Sequence, residues 1–338
     1  MNVKSFSGPL LDEIVELDRF CPGFVGSYFR SSDEKRQVIA ANLLVDPPAR
    51  TPAQMGARAE FLQGSRHKTI LQATFRRVPT GFRGALGRAG PVPHGKRFYT
   101  ALHTTLQHPP HSKCAKTISR LPTLDLLRIQ LVRLLPAQLC APGFVQALRS
   151  MRHAHDVLRV IDLLTRHGVD QTSVIAAARQ ISSVSQQNSF WQRWALKATF
   201  PPHPVPASAA YRPIRDGRML QSMAHRFSNC SMRYLIPCLD GRDAFAEFSH
   251  GVSGAVVHLR RREATWHVEG VFARNNVRPD RGLCTALLAY TAKFGIAERE
   301  LRQEPRGDWD VLRRLSMPHS FEIDFPVLDE DDHARLHV

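Results

Sequence analysis

The chain has 338 residues, which is enough for one large domain or two ordinary ones with real cores. Hydrophobic residues make up 43% of the chain, and this content excludes a wholly disordered protein. The 46 Lys and Arg residues against 30 Asp and Glu give a formal net charge of +16, which favours nucleic acid, an anionic membrane or an acidic protein as a partner.

Residues 1–200 are predicted to form a mostly helical, basic domain. Apolar residues at positions 10, 11, 14, 15 and 17 recur at helical spacing. Ser32, followed by Asp33 and Glu34, and Thr51, followed by Pro52, are typical helix starts. Further helices are predicted over 124–135, 154–164, 170–181 and 189–199. No fixed repeat period is present, so we expect an irregular helical bundle.

The second part of the chain has a different pattern. Four prolines within 201–212 cannot continue a helix and predict an extended linker. Residues 213–318 are predicted to form a small α+β domain, and residues 319–338 an acidic tail. The predicted elements of this domain are a helix over 216–234, an antiparallel meander of strands over 244–249, 255–260 and 265–272, and a helix over 283–294. The predicted fold class is therefore α+β.

The charge is concentrated in one stretch, because residues 61–124 contain no Asp or Glu. A solvated surface usually mixes the two signs, since like charges repel. The missing acids favour a negatively charged partner, and Lys and Arg bind phosphates without reading sequence. The stretch contains eleven cations: Arg66, Lys68, Arg76, Arg77, Arg83, Arg88, Lys96, Arg97, Lys113, Lys116 and Arg120.

Aromatic residues lie among these cations. Phe98 and Tyr99 follow Lys96 and Arg97, a mixture that suits stacking on single-stranded bases beside a charged groove. The other interpretations are that the cations form ordinary solvated surface, that the aromatic side chains belong to the core, or that the partner is an acidic protein or a membrane. We rank nucleic acid, DNA or RNA, first among these partners.

Targeting and cofactor signals are missing from the sequence. No long apolar run follows Lys4, and no segment reaches the roughly 18–20 apolar residues that cross a bilayer. We therefore expect a cytoplasmic protein with no membrane partner. The six cysteines form no CxxC pair, so we expect reduced thiols. No Walker loop, GxGxxG, HExxH or GxSxG motif occurs, and we expect no cofactor.

Residues 216–281 contain a series of short motifs: Gly217-Arg-Met-Leu, Met223-Ala, Asn229-Cys, Arg233-Tyr, Gly241-Arg, the strand Gly254-Ala-Val-Val-His-Leu, Thr265-Trp-His-Val and Arg274-Asn-Asn. Through these motifs the region resembles the PcfJ-like domain family. A histidine commonly precedes the cysteine in that family, whereas Asn229 stands at this place and His225 is the nearest histidine. The family is associated with plasmids and conjugative elements, so the resemblance implies a mobile genetic element and implies no reaction.

Several residues of this region are candidates for chemistry or binding. Cys230 and Tyr234 would share a face of the predicted helix, and His225 lies five residues before Cys230. A cysteine on an apolar helix face is more often part of the core than a nucleophile. His258, His267 and Glu269 have no diagnostic ligand spacing, so we predict no metal site. Arg274, Asn275 and Asn276 suit either a turn or contacts with phosphates and bases.

Three functional hypotheses follow. The first is a nucleic-acid-binding accessory protein of a mobile element, with backbone contacts from the basic helical region. The second is an enzyme centred on Cys230, with His225 and Tyr234, or alternatively His267 or Glu269, as catalytic partners. The third is a protein-interaction adaptor that uses the acidic tail as its contact.

Overall fold

The computed structural model describes residues 8–46, 51–107 and 113–296. The protein has an α+β fold, with a helical N-terminal part followed by an antiparallel sheet. The helices of the first part are α1 Pro9–Phe20, α2 Phe24–Arg30, α3 Asp33–Val45, α4 Pro52–Gly64, α5 His67–Phe75, α6 Phe82–Gly87, α7 Lys96–Leu106, α8 Lys113–Arg120, α9 Leu126–Leu134, α10 Pro142–Ala147, α11 Met151–Arg166, α12 Gln171–Ala178 and α13 Val184–Ala195.

The predicted helix starts are confirmed by their hydrogen bonds. The Ser32 hydroxyl accepts from the Lys35 amide at 3.2 Å, and Thr51 and Gln54 form a reciprocal capping box. Asp170 accepts from the Ser173 amide at 2.8 Å in the same way. Each cap provides a partner for a backbone donor that the first helical turn leaves unpaired.

The second part has four strands, β1 Tyr211–Pro213, β2 Asp243–His250, β3 Ser253–Arg262 and β4 Thr265–Phe272. They form one antiparallel sheet in the order β1-β2-β3-β4, which confirms the predicted meander of β2 to β4. Helices α14 Gly217–Phe227 and α15 Leu235–Leu239 precede β2, and α16 Arg281–Ala292 follows β4. The predicted last helix is thus confirmed, beginning two residues earlier than expected.

The single helix predicted over 216–234 is wrong. Helix α14 ends at Phe227, because Ser228 adopts a left-handed conformation with φ 48°. The chain then makes a short 3-10 helix at Ser231–Tyr234 before α15 begins. Cys230 lies between these segments, so the expected shared helix face of Cys230 and Tyr234 does not exist.

The predicted linker over 201–212 packs into the fold. Val205 and Tyr211 are fully buried, and Tyr211 begins strand β1, which pairs with β2. Pro213 is compatible with this strand because β1 lies at the sheet edge. The acidic tail over 319–338, and the last part of the predicted domain beyond residue 296, lie outside the described residues.

Two apolar clusters hold the described residues together. The larger extends from Ile14 in α1 to Val256 in β3 and therefore crosses the predicted domain boundary. The smaller lies on the other face of the sheet, where Val257 and Leu259 of β3 pack with Leu287 of α16. The sheet is thus covered by the helical part on one face and by α16 on the other.

Candidate functional site

Most cations of the acid-free stretch lie at the surface. Ten of the eleven are exposed, and only Arg88 is half-buried. Arg83 forms an ion pair with Glu34 of α3, which leaves nine exposed cations without an acidic partner among the described residues. Among the described residues, an acidic side chain from elsewhere in the chain therefore neutralises one of the eleven cations, Arg83.

Five of these cations belong to two neighbouring segments. Arg76 and Arg77 follow α5, whereas Lys113, Lys116 and Arg120 lie on α8. Spacings of three and four residues place the α8 cations on one helix face. The other face of α8 buries Ala115, Thr117 and Ile118.

An open cleft separates the two segments. It has a volume of about 280 Å³ and lies between the loop over 77–81, the end of α7 and α8. Arg77 and Lys116 both line it, together with polar side chains of Thr80, Gln107 and Ser119. We call this feature, together with Arg76, Lys113 and Arg120, the basic cleft.

Local contacts fix the first wall of the basic cleft. Arg76 ends α5 with φ 54°, a left-handed conformation that turns the chain sharply. The next carbonyl, that of Arg77, accepts a hydrogen bond from His103 Nε2 at 2.8 Å, and the His103 ring stacks on Phe75 at 4.5 Å. The loop is thus held against α7, which directs Arg77 to the cleft.

The second wall of the cleft, α8, is held by two further hydrogen bonds. The Thr117 hydroxyl donates to the Cys140 carbonyl at 2.7 Å. Arg88 donates to the Ile118 carbonyl at 2.9 Å, and burial lowers the pKa of Arg88. Arg88 therefore anchors α8, and its half-buried guanidinium is placed for this internal contact and not for a phosphate.

The structure places the predicted stacking residues in the core. Phe98 is 1% exposed and Tyr99 0% exposed, so neither ring presents a face to a nucleic-acid base. The Tyr99 hydroxyl donates to Gln37 Oε1 at 2.7 Å, and the Phe98 ring stacks on His94 at 4.1 Å. The assignment of Phe98 and Tyr99 as base-stacking groups is therefore wrong.

The other predicted contact residues lie away from the cleft. Lys96 and Arg97 begin α7, whose opposite end lines the cleft, about 15 Å along the helix axis. Arg66 and Lys68 are exposed at the start of α5, again at the end opposite Arg77. The structure brings together only a part of the predicted set.

Arg274, Asn275 and Asn276 form an exposed 3-10 turn after β4. Both asparagines have left-handed φ values, 60° and 58°, which asparagine tolerates better than most residues. The turn packs near α14. The turn interpretation of these residues is thus correct, and a role in binding stays a prediction.

The three residues proposed for a cysteine-centred active site, Cys230, His225 and Tyr234, do not form a hydrogen-bonded group. Cys230 is exposed, and in the described part of the chain no hydrogen bond links it to His225 or Tyr234. The Tyr234 hydroxyl accepts from Arg233 at 3.0 Å, and its ring lies 4.6 Å from that of His258. Tyr234 thus belongs to the surroundings of His258 and not to a triad with Cys230.

Sequence reasoning missed a buried polar cluster on β2 and β3. His258 Nε2 donates to Asp243 Oδ1 at 2.6 Å, and Arg260 Nε donates to the same oxygen at 2.9 Å. Burial would raise the pKa of Asp243, but the hydrogen bonds and charges of His258 and then Arg260 outweigh burial and hold this pKa below its usual value. The alternation of β3 was visible in the sequence, but the pairing of Asp243 with His258 depends on the β2–β3 register.

The geometry of this cluster is that of a structural ion network. The His258 ring lies between Phe245, stacked at 4.4 Å, and Tyr234, and it is 2% exposed. Glu269 pairs with Arg262 at 3.3 Å instead of pointing to a shared centre with His258. Across the described ranges, no group of three or more His, Cys, Asp or Glu side chains is placed to hold a metal ion.

Comparisons with known proteins found no match among family models, curated proteins or solved structures. Within residues 8–46, 51–107 and 113–296, none of the helices combines the length and apolar character needed to cross a membrane.

Proposed function

We propose that the protein binds nucleic acid through phosphate contacts made by the basic cleft. The proposal rests mainly on the observation that Arg77 and Lys116 line one cleft, while Arg76, Lys113 and Arg120 lie on or next to the two segments that form its walls. All five are exposed and have no acidic partner among the described residues. Several arginines of the second part of the chain, by contrast, are paired: Arg226 with Glu247, Arg242 with Asp240 and Arg262 with Glu269. Unpaired cations gain most from a polyanion, since binding releases its counterions.

Because Phe98 and Tyr99 are buried, these rings are excluded as base-stacking groups, and phosphate contacts are left as the mode of binding. Phe82 is also buried, and Phe75 is half-buried against His103. Because the acid-free stretch offers no well-exposed ring within its described residues, base stacking contributes little to the proposal. Contacts to the backbone alone predict weak sequence preference and little discrimination between single strands and duplexes.

The test is a salt titration of binding to single-stranded and duplex DNA and RNA. Five phosphate contacts predict a log–log slope of about −4 to −5 on duplex DNA. The double substitution Arg77→Ala with Lys116→Ala should make the slope less steep by about two. Arg261→Ala, which removes an exposed arginine from β3, is the matched control and should leave the slope unchanged. Binding that does not respond to salt, or an equal effect of both variants, would reject the cleft as the interface.

The biological setting of this activity is a second part of the proposal. The resemblance of residues 216–281 to the PcfJ-like family supports an accessory role in a plasmid or conjugative element, with a cytoplasmic location. It rests on the short motifs quoted above, and its test is whether neighbouring genes encode relaxase or other transfer functions.

A cysteine enzyme is the second candidate function, and one observation favours it. Cys230 is the exposed thiol among the six cysteines, all of which lie in the described residues. An activated thiol at this position should react with iodoacetamide near neutral pH faster than it does in the urea-denatured chain. The variant Cys230→Ser is the negative control, because any labelling that it still shows comes from the other cysteines. Equal rates in the folded and denatured chains would reject an activated nucleophile.

A further inference from the structure

Two cysteines that are distant in sequence come together behind the α8 wall of the basic cleft. Cys114 lies in the first turn of α8, and Cys140 lies in the loop between α9 and α10. Both side chains are half-buried. The Cys140 carbonyl accepts from the hydroxyl of Thr117, which lies one turn after Cys114 on α8. Helix α8 and the backbone of Cys140 are therefore in direct contact.

The end of α9 explains why the two thiols converge. In a continuing helix the buried Val132 carbonyl would accept from the amide of residue 136, but that residue is Pro136, which has no N–H. Instead, the Sγ atoms of Cys114 and Cys140 both donate to the Val132 oxygen, each at 3.6 Å. Because both sulfur atoms lie at this distance from one oxygen, they can be no further apart than twice that distance.

The two thiols also interact electrostatically. Burial, and then the charge of a Cys114 thiolate, raise the pKa of Cys140 to about 11, although the nearby Lys113 acts in the opposite direction. The thiolate is the nucleophile in thiol chemistry, so near neutral pH the first attack on an external disulfide belongs to Cys114. Once Cys114 is bound to another sulfur it carries no charge, and its contribution to the raised pKa of Cys140 is lost.

The other four cysteines have no such arrangement. The thiol of Cys21 donates to Gln63 Oε1 at 3.4 Å, and that of Cys284 lies 3.9 Å from the Pro279 carbonyl. Cys238 is buried and Cys230 is exposed. Within the described residues, which include all six cysteines, Cys114 and Cys140 are the pair whose thiols share one acceptor.

We propose that Cys114 and Cys140 are a modification site that forms a reversible disulfide by exchange with a low-molecular-weight disulfide such as oxidised glutathione. First, the Cys114 thiolate attacks one sulfur of the reagent, whose S–S bond breaks and releases one glutathione. The Cys140 sulfur then loses its proton, attacks Cys114 in the mixed disulfide and releases the second glutathione. The protein gives up two electrons and two protons, and one oxidised glutathione becomes two reduced molecules.

Proximity makes the second step possible despite the high pKa of Cys140, because the attack is intramolecular. A disulfide of this kind in an intracellular protein would be transient and responsive to redox conditions. The proposal does not depend on nucleic-acid binding, since its test follows the thiols alone. Either proposal can fail while the other stands.

The test is treatment of the full-length protein with oxidised glutathione, followed by N-ethylmaleimide, digestion and mass spectrometry. The wild type should give a linked peptide pair that joins Cys114 to Cys140. Cys140→Ser should stop after the first step and accumulate glutathione on Cys114, whereas Cys114→Ser should give neither the link nor an adduct at Cys140. Serine keeps a donor for the Val132 carbonyl, so both variants should fold, which circular dichroism checks.

Cys284→Ser is the matched control, because it removes another half-buried cysteine and should form the link as the wild type does. The same treatment in urea, where the six cysteines pair without the folded structure, should give a much smaller share of this link. The proposal is overturned if the folded wild type forms no link between Cys114 and Cys140, if the link is as abundant in urea, or if folded Cys140→Ser carries no glutathione on Cys114.

Discussion

Asp243 illustrates how a single buried carboxylate stabilises the sheet. It lies at the start of β2 and is 3% exposed, yet it accepts hydrogen bonds from two side chains of β3. Arg260 also approaches Glu269 of β4 at 3.8 Å, so the network connects three adjacent strands. Removing one charge from such a group is costly because the remaining buried charges lose their partner.

Asp243→Asn should therefore destabilise the protein by about 3 kcal/mol at neutral pH. Because the folded state holds the pKa of Asp243 below its unfolded value of about 3.9, the ionised form contributes stability above that pH, and the contribution is lost as the pH falls further. The difference in the free energy of unfolding between wild type and variant should shrink as the pH falls below about 4. Urea unfolding over this pH range measures it.

A surface ion pair gives the control for this measurement. Asp162 pairs with Arg166 on the exposed face of α11 at 2.8 Å, so Asp162→Asn should change the free energy of unfolding by less than about 0.5 kcal/mol. If the difference in the free energy of unfolding between wild type and Asp243→Asn does not shrink at low pH, the lowered pKa assigned to Asp243 is contradicted.

At the residue level, the sequence predicted the positions of charge better than those of aromatic rings. The absence of acids over 61–124 correctly indicated a surface rich in exposed cations. Phe98 and Tyr99 follow Lys96 and Arg97 directly, but the turn of α7 rotates the rings into the core while the cations stay exposed. The rotation of a helix is set by its packing partners, and these cannot be read from a four-residue motif.

At the level of elements, helix α14 shows how a glycine can be required by packing. Gly217 begins α14 and is buried, and a Cβ atom there would lie 2.7 Å from Leu196 Cα and 2.9 Å from Leu235 Cδ1. Contacts this short require α14 to move away from the end of α13 and from α15. Packing therefore outweighs the usual preference of a helix for alanine over glycine.

Gly217→Ala should accordingly destabilise the protein by about 1–3 kcal/mol, the usual cost of overpacking. Gly64 at the end of α4 is the matched control, since a Cβ atom there meets nothing within 4 Å. Gly64→Ala should stabilise the protein by up to about 1 kcal/mol. Thermal unfolding compares the two variants, and a shift in the same direction for both would contradict the packing argument.

Element boundaries were predictable where the chain carries a local signal. Ser32, Thr51 and Asp170 cap helices because their side-chain oxygens can bond the first backbone amides, a property visible in the sequence. The end of α14 was missed because Ser228, and not a glycine, adopts the left-handed conformation. Strand β1 was missed because it has three residues and forms only by pairing with β2.

At the level of the whole molecule, the larger apolar cluster joins the helical part to the sheet. Leu220 and Met223 of α14 and Phe245 of β2 belong to the same cluster as Ile129 of α9. Residues on both sides of the proline-rich stretch therefore lose apolar contacts together if this core opens. We expect one cooperative unfolding transition in which neither part unfolds alone.

Hydrogen exchange tests this coupling through a single substitution. Leu220 is fully buried in α14, so Leu220→Ala should lower stability by about 2–5 kcal/mol. If the core is shared, the most protected amides of α9 and of β3 should lose the same free energy of opening, although α9 is distant from position 220 in sequence. Val252→Ala, at a fully exposed site between β2 and β3, should alter neither. Loss of protection confined to β3, with α9 unchanged, would mean that the sheet opens independently and that the apolar contacts across the proline-rich stretch do not couple the two parts.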